Sequence, residues 1–144
     1  MTVIVWDGIT LATDSAASDG VIQWKTAKAW YHGEGDDRII LSGAGPLPSI
    51  MAMKDWFINQ AVVGFPPIQV TDPCHFIVVS PIMGLYRFEG GPAPIDHGSD
   101  ACAFGEGREF AYGALAMGAT AARAVEIACD YSVHCGLGVQ EYQV

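Results

Sequence analysis

Two short β-branched runs open the chain, Thr2 to Trp6 and Ile9 to Thr13, and between them stands Asp7-Gly8, a pair that tolerates the positive φ of a tight turn. The pattern predicts a hairpin. Lys25 to Tyr31 and Arg38 to Leu41 read as the next strands, divided by the turn-rich stretch His32 to Asp37. After Gly43-Ala44-Gly45-Pro46 the period changes. Ile50, Met53, Phe57 and Ala61 recur every three or four residues, with Asp55 and Asn59 on another face, which predicts an amphipathic helix ending near Gly64. The segment Phe65-Pro66-Pro67 through Asp72-Pro73 cannot continue it. His75 to Ser80 and Gly84 to Phe88 restore strand character, Gly90 to Pro94 reads as a loop, and Ala101 to Phe104 as a short strand. Glu106 to Gly118 predicts a helix rich in small residues. Thr120 predicts the N-cap of a further helix from Ala121 to about Val133, because its hydroxyl can accept from first-turn amides. Val139 to Val144 closes the chain as a strand. The order of strands, helix, strands, two helices and strand predicts an α+β domain with antiparallel sheets in the centre and helices outside.

Composition narrows the classes. With 144 residues, 51% hydrophobic and 16% charged, the chain is expected to form one domain, residues 1–144, with a core that needs no disulfide staples. A mean hydropathy of +0.27 is more apolar than a small monomer needs, and oligomer contacts would absorb the excess. The net charge of −9 disfavours nucleic acid and anionic membrane surfaces as partners, since both would be repelled. The apolar stretch from Phe110 to Ala122 stops at Arg123 and is too short to cross a bilayer.

Other chemistry finds little support. Cys74, Cys102, Cys129 and Cys135 form no CxxC pair and no signal peptide pattern precedes the first strand, so reduced thiols and a cytoplasmic location are expected. Cys74-His75 and His134-Cys135 are adjacent pairs that would point to opposite faces of a strand, which leaves the cysteines as small core residues. His32, His75, His97 and His134 have no metal-binding spacing, and Asp96-His97 with Asp100 reads as solvated loop. Gly105-Glu106-Gly107 lacks the third glycine and basic residue of a phosphate loop. No metal and no cofactor are expected.

Thr2 carries the most informative chemistry. Removal of Met1 would leave it as the first residue, with a hydroxyl nucleophile and an α-amine base, of reference pKa about 8, on one residue. Thr2-Val3-Ile4-Val5, Leu11-Ala12-Thr13-Asp14, Lys28, Ile39-Ile40-Leu41-Ser42-Gly43-Ala44-Gly45 and Gly105-Glu106-Gly107 together resemble the proteasome β-type and bacterial HslV peptidase family, within the N-terminal nucleophile hydrolases. The resemblance runs through most of the chain. It implies a four-layer αββα sandwich of two antiparallel sheets with helices outside, and a catalytic set of Thr2, Asp14, Lys28 and Gly45. In that set Lys28 is a buried ammonium that stabilises the developing alkoxide, and Asp14 keeps it charged and in place. The Gly45 N–H donates to the oxyanion and the Thr2 amine shuttles the proton. The resemblance further implies a homo-oligomeric ring, a peptide or unfolded-protein substrate and an unfoldase ATPase partner.

Two positions depart from the family pattern. Glu106 stands where the family usually has serine, in a place where a carboxylate could either pair with the Thr2 amine or abolish normal proton transfer. Ser132-Val133-His134-Cys135-Gly136 corresponds to the family's late Asp-x-x-Ser-Gly segment without the aspartate, and Asp130 lies two residues early. The alternatives to a peptidase are a catalytically inactive ring-forming subunit of the same fold and an amidase acting on a small amide.

Overall fold

Alternation along the first strand assigns its two faces. Val3 and Val5 pack among helix alanines, while Ile4 and Trp6 pack against a second sheet, as the two-residue period of a strand requires. The computed structural model describes residues 2–59, 74–89 and 93–144. In chain order the strands are β1 (Val3–Trp6), β2 (Leu11–Asp14), β3 (Ala16–Ser18), β4 (Gln23–Lys25), β5 (Ala29–His32), β6 (Ile39–Ala44), β7 (His75–Ser80), β8 (Gly84–Phe88), β9 (Ile95–Gly98), β10 (Cys102–Gly105) and β11 (Val139–Tyr142). The helices are α1 (Leu47–Ile58), α2 (Arg108–Ala116) and α3 (Ala121–Tyr131).

All strand pairs are antiparallel. One sheet has the order β10-β1-β2-β11, the other β5-β6-β7-β8-β9, and β3-β4 forms a separate ribbon. Between the sheets lie Ile4, Trp6, Leu11, Ile40, Ile77, Val79, Leu85 and Phe104. Helix α1 closes the outer face of the five-stranded sheet through Ile50, Met53 and Phe57, which meet Leu41, Phe76, Val78 and Phe88. Helices α2 and α3 close the outer face of the other through Ala111, Ala124, Val125 and Ala128 against Val3, Val5 and Ala12. The expected αββα sandwich is therefore the observed one. Gly43 is needed for its close fit, since a Cβ there would stand 2.3 Å from Ile50 Cδ1.

Asp7 ties the first hairpin to the last helix. Its Oδ1 accepts from the amides of Ile9 at 3.0 Å and Thr10 at 2.8 Å, and its Oδ2 accepts from Ala121 at 2.8 Å. Burial pushes this carboxyl up, but the amides of Thr10, Ala121 and Ile9 together outweigh it and hold the pKa below the usual range. Thr120 caps α3 as expected, its Oγ1 accepting from Arg123 N at 3.2 Å.

Several boundaries differ from the sequence pattern. The expected strand from Lys25 to Tyr31 is broken: β4 ends at Lys25, β5 begins at Ala29, and Lys28 lies in the crossing between them. There Thr26 N donates to Ser15 O at 2.9 Å and Ser42 Oγ donates to Lys28 O at 2.7 Å, so the chain leaves the ribbon and enters the second sheet. Strand β9 was expected to be loop; it is an edge strand, paired with β8 across a register shift at Leu85/Tyr86. The described part of α1 ends at Ile58 with Asn59 as its cap, and the expected continuation to Gly64 and the proline segment to Pro73 lie outside the described residues, as do positions 90–92. Helices α2 and α3 and strand β11 are each about one or two residues shorter at their ends than expected. Among the described residues, no helix is long and apolar enough to cross a membrane.

Candidate active site

Thr2 lies immediately before β1 and is 8% exposed. The turn after β10 grips it. Gly107 N donates to Thr2 O at 3.2 Å. Gly105, at φ +92°, approaches so closely that a Cβ would stand 2.3 Å from Thr2 O and 2.8 Å from Thr2 Cγ2. On the other side Val3 N donates to Asp14 Oδ1 at 3.1 Å, which fixes the first peptide of the strand against the end of β2.

Asp14 is fully buried and collects donors from four places. Its Oδ1 takes Lys28 Nζ at 2.7 Å besides Val3 N, and its Oδ2 takes Gly136 N at 3.1 Å and Ala16 N at 3.4 Å. A buried ion pair holds only when its remaining hydrogen-bonding capacity is met, and here three backbone amides meet it on the carboxylate side. Lys28 is 8% exposed, and its carbonyl is anchored by Ser42 Oγ. Gly45, at φ +136°, begins the turn into α1.

Two clefts meet at Thr2. One, of about 250 Å³, is lined by Thr2, Lys28, Gly45, Ala17, Trp30 and Ile50 among others. The second, of about 430 Å³, is lined by Thr2, Gly45, His75, Glu106 and Arg108 with their neighbours. Thr2, Lys28 and Gly45 thus face common space, and Asp14 holds Lys28 from behind. A roomier apolar groove of about 650 Å³ over α2 and α3, lined by Phe110, Met117, Ile127 and Tyr131, contains none of these residues.

No family model matches the sequence, and no curated protein matches it. Among solved structures, the fold is similar to HslV from Trypanosoma brucei, at 18% identity, covering 98% of this chain and 97% of that one with a TM-score of 0.64. Thiobacillus denitrificans BPH is similar over 100% of this chain and 97% of that one, at 18% identity and a TM-score of 0.72, and was also solved in complex with epoxomicin. Anbu from Pseudomonas aeruginosa, solved as a helical assembly, is similar over 99% of this chain and 81% of that one, at 15% identity and a TM-score of 0.74. The chain has the HslV-type fold.

Within that HslV-type sandwich, three side chains on or next to the cleft-lining residues take partners that the sequence pattern does not announce. Ser42 sits opposite Ala29 in the β5-β6 register, which delivers its hydroxyl to the Lys28 carbonyl. His75 turns towards the cleft, with Nδ1 2.7 Å from Glu89 Oε1 and 2.8 Å from Arg87 Nη1; Arg87 also pairs with Glu89. Burial depresses the His75 pKa, Glu89 opposes that and Arg87 adds to it. His134 Nδ1 meets Glu106 Oε2 at 3.0 Å, a pairing across two turns distant in sequence.

Three of the four cysteines are unsuited to nucleophilic chemistry. Burial pushes Cys102 and Cys129 up to about 12 and Cys135 up to about 11, so all three stay protonated thiols at neutral pH. Cys135 packs instead against Gly107, where a Cβ would stand 2.5 Å from its Sγ. Among the described residues, no group of three His, Cys, Asp or Glu side chains could hold a metal ion.

Proposed function

We propose that this chain is an N-terminal threonine peptidase subunit whose nucleophile is Thr2 after removal of Met1. The observation that carries this reading is the Lys28–Asp14 pair, 2.7 Å apart and buried, opening onto the cleft that Thr2 lines. In the proposed reaction Thr2 Oγ bonds to the carbonyl carbon of a peptide while its proton passes to the Thr2 amine. The Lys28 ammonium stabilises the developing charge on Oγ, and the Gly45 N–H donates to the oxyanion. As the C–N bond breaks, the amine returns the proton to the departing amine of the product. Water then hydrolyses the acyl-enzyme and regenerates the threonine hydroxyl.

The assembly follows from the same reading. We place the chain in a homo-oligomeric ring, in a soluble cytoplasmic setting, with its clefts facing an enclosed space supplied with unfolded peptide by an ATPase partner. The helical assembly of the P. aeruginosa Anbu and the exposed Phe110 on α2, Met117 just after it and Tyr131 on α3 support self-association. A second reading, a ring subunit of the same fold without chemistry, is favoured by one feature: the Glu106 carboxylate on the wall of the Thr2 cleft.

The test pairs intact mass with hydrolysis of a fluorogenic peptide. The expected result is loss of Met1 and turnover that falls by at least about a thousandfold in Thr2→Ala, since the nucleophile carries the covalent step. Epoxomicin, with which the T. denitrificans protein was solved in complex, should bind the processed chain and inhibit its hydrolysis. Retained Met1 with equal, background rates in both proteins selects the second reading.

A further inference from the structure

Glu106 stands between two glycines that both touch Thr2. Gly105 approaches the Thr2 carbonyl too closely for any Cβ, and Gly107 donates its N–H to that same oxygen at 3.2 Å. The backbone that carries Glu106 is therefore clamped to the backbone that carries Thr2, and both residues line the cleft of about 430 Å³. Glu106 Oε2 is in turn bonded to His134 Nδ1 at 3.0 Å, and His134 N donates to Ser132 Oγ at 3.2 Å. Both side chains are about half exposed, and a His134 Nδ1–H that donates to the Glu106 carboxylate biases the direction of that carboxylate without locking it.

We infer that Glu106, oriented by His134, is a positioning residue for the Thr2 amine: its carboxylate binds that amine as an ammonium and sets the pH above which it is free to act as a base. The inference rests on the reading of Thr2 as a processed N-terminal nucleophile. A carboxylate in contact favours the charged form of an amine, so the amine titrates above its ordinary value of about 8.

The other charges near Thr2 leave Glu106 as the deciding one. Asp14 lies behind Val3, but its charge is balanced by Lys28 and by the amides of Val3, Ala16 and Gly136. Lys28 lines the adjoining cleft as a cation and opposes Glu106, yet carries Asp14 with it. Arg108, on the same cleft wall as Glu106, is paired with Glu109 at 3.1 Å, and His75 is bonded to Glu89 with Arg87 beside it. Cys135, beneath Gly107, is a protonated thiol. Of the described residues lining that cleft, Glu106 is the acidic one.

The test uses the full chain from Thr2 onward, released from an N-terminal fusion so that the amine is free whether or not the cell removes Met1. The rate of α-amine acetylation by a limiting pulse of acetic anhydride, followed by mass analysis of the N-terminal peptide across pH, gives the amine's titration midpoint without needing turnover. Glu106→Gln, which keeps the side chain's shape, is expected to lower that midpoint by about one pH unit. His134→Ala should lower it by roughly half as much, because the carboxylate stays but loses its orientation. Where peptide hydrolysis is measured, the acidic limb of kcat/KM should move by the same amounts. Coincident midpoints in wild type and Glu106→Gln overturn the inference and leave the peptidase reading standing if Thr2→Ala still abolishes hydrolysis. A shifted midpoint in a chain that hydrolyses nothing supports the role of Glu106 and removes the peptidase reading instead.

Discussion

Removing the Asp14 side chain should be far more damaging than removing the charge of its partner. In Asp14→Ala the Lys28 ammonium, 8% exposed, loses the carboxylate at 2.7 Å, and the amides of Val3 and Gly136, each 3.1 Å from that carboxylate, lose an acceptor. Breaking a buried pair by deleting one partner costs about 3–5 kcal/mol, and each stranded amide adds about 1 kcal/mol or more. The sum, about 5–7 kcal/mol, is comparable to the whole stability of a domain this size. Lys28→Met keeps the aliphatic stem and leaves the carboxylate with three amide donors, at 3.1, 3.1 and 3.4 Å, so its cost should be nearer about 2 kcal/mol. The double variant should then cost less than the sum of the singles, with a coupling of about 2 kcal/mol. Urea denaturation followed by circular dichroism, at one fixed protein concentration so that assembly does not shift the midpoint, measures all three. A Lys28→Met protein as unstable as Asp14→Ala, or strictly additive singles, would refute the view that the carboxylate is the hub on which the end of β1 and the ammonium are both hung.

Gly105→Ala should destabilise the fold by about 3 kcal/mol or more and abolish the hydrolysis proposed for Thr2, because it combines a left-handed backbone with a methyl driven into the Thr2 carbonyl. Gly20→Ala is the control: its φ of +94° carries a similar conformational cost of about 1 kcal/mol, but nothing lies within 4 Å of the added Cβ, so the difference between the two isolates the contact with Thr2. The pH dependence has a worked sign as well. Burial first, and Arg87 with it, depress the pKa of both His75 and His97, so below about 6.5 the unfolded chain takes up protons that the folded chain refuses. Stability that is fully present above that pH should fall as the solution is acidified towards the folded values, and His75→Gln with His97→Gln should flatten the fall in the urea midpoint between pH 7.5 and 5.5. An equally steep fall in the double variant would show that another group is responsible.

How much was legible depends on whether a residue's environment repeats along the chain. Strands β1, β6 and β7 are buried on both faces, so Val3 to Trp6, Ile39 to Leu41 and His75 to Ser80 read as apolar runs bounded by turns, and the three-to-four spacing of Ile50, Met53 and Phe57 marks α1 against its sheet. Strand β9 gives no such signal. Ile95 and Asp96 are exposed, His97 and Gly98 half-buried, and the pairing with β8 slips at Tyr86, so the segment Ile95-Asp96-His97-Gly98 reads as a polar turn. Lys28 misled in the opposite way: Ala27, Ala29 and Trp30 suggest a continuous strand, but the chain is redirected there by bonds to Ser15 and Ser42, partners that spacing alone does not reveal.

The site divides along the same line. Residue type alone singled out Thr2, a hydroxyl with its own amine, whereas Asp14, Lys28 and Gly45 were nominated by the resemblance that their conjunction with Thr2 carries, since each alone reads as a turn, strand or loop residue. What the residue type does not carry is the set of donors that makes Asp14 tolerable as a buried anion: the amides of Val3, Ala16 and Gly136 come from the start, the first third and the end of the chain. Backbone amides are the same at every position, so no pattern in the letters announces which three will converge. The pairing of Glu106 with His134 is equally silent, because each sits on a turn beside a helix whose own period says nothing about the other. The consequence is physical: the stability of this site is set by where β1, β2 and the turn after α3 meet. A substitution far from Thr2 that shifts Gly136 should therefore disturb the Lys28 ammonium as surely as one beside it.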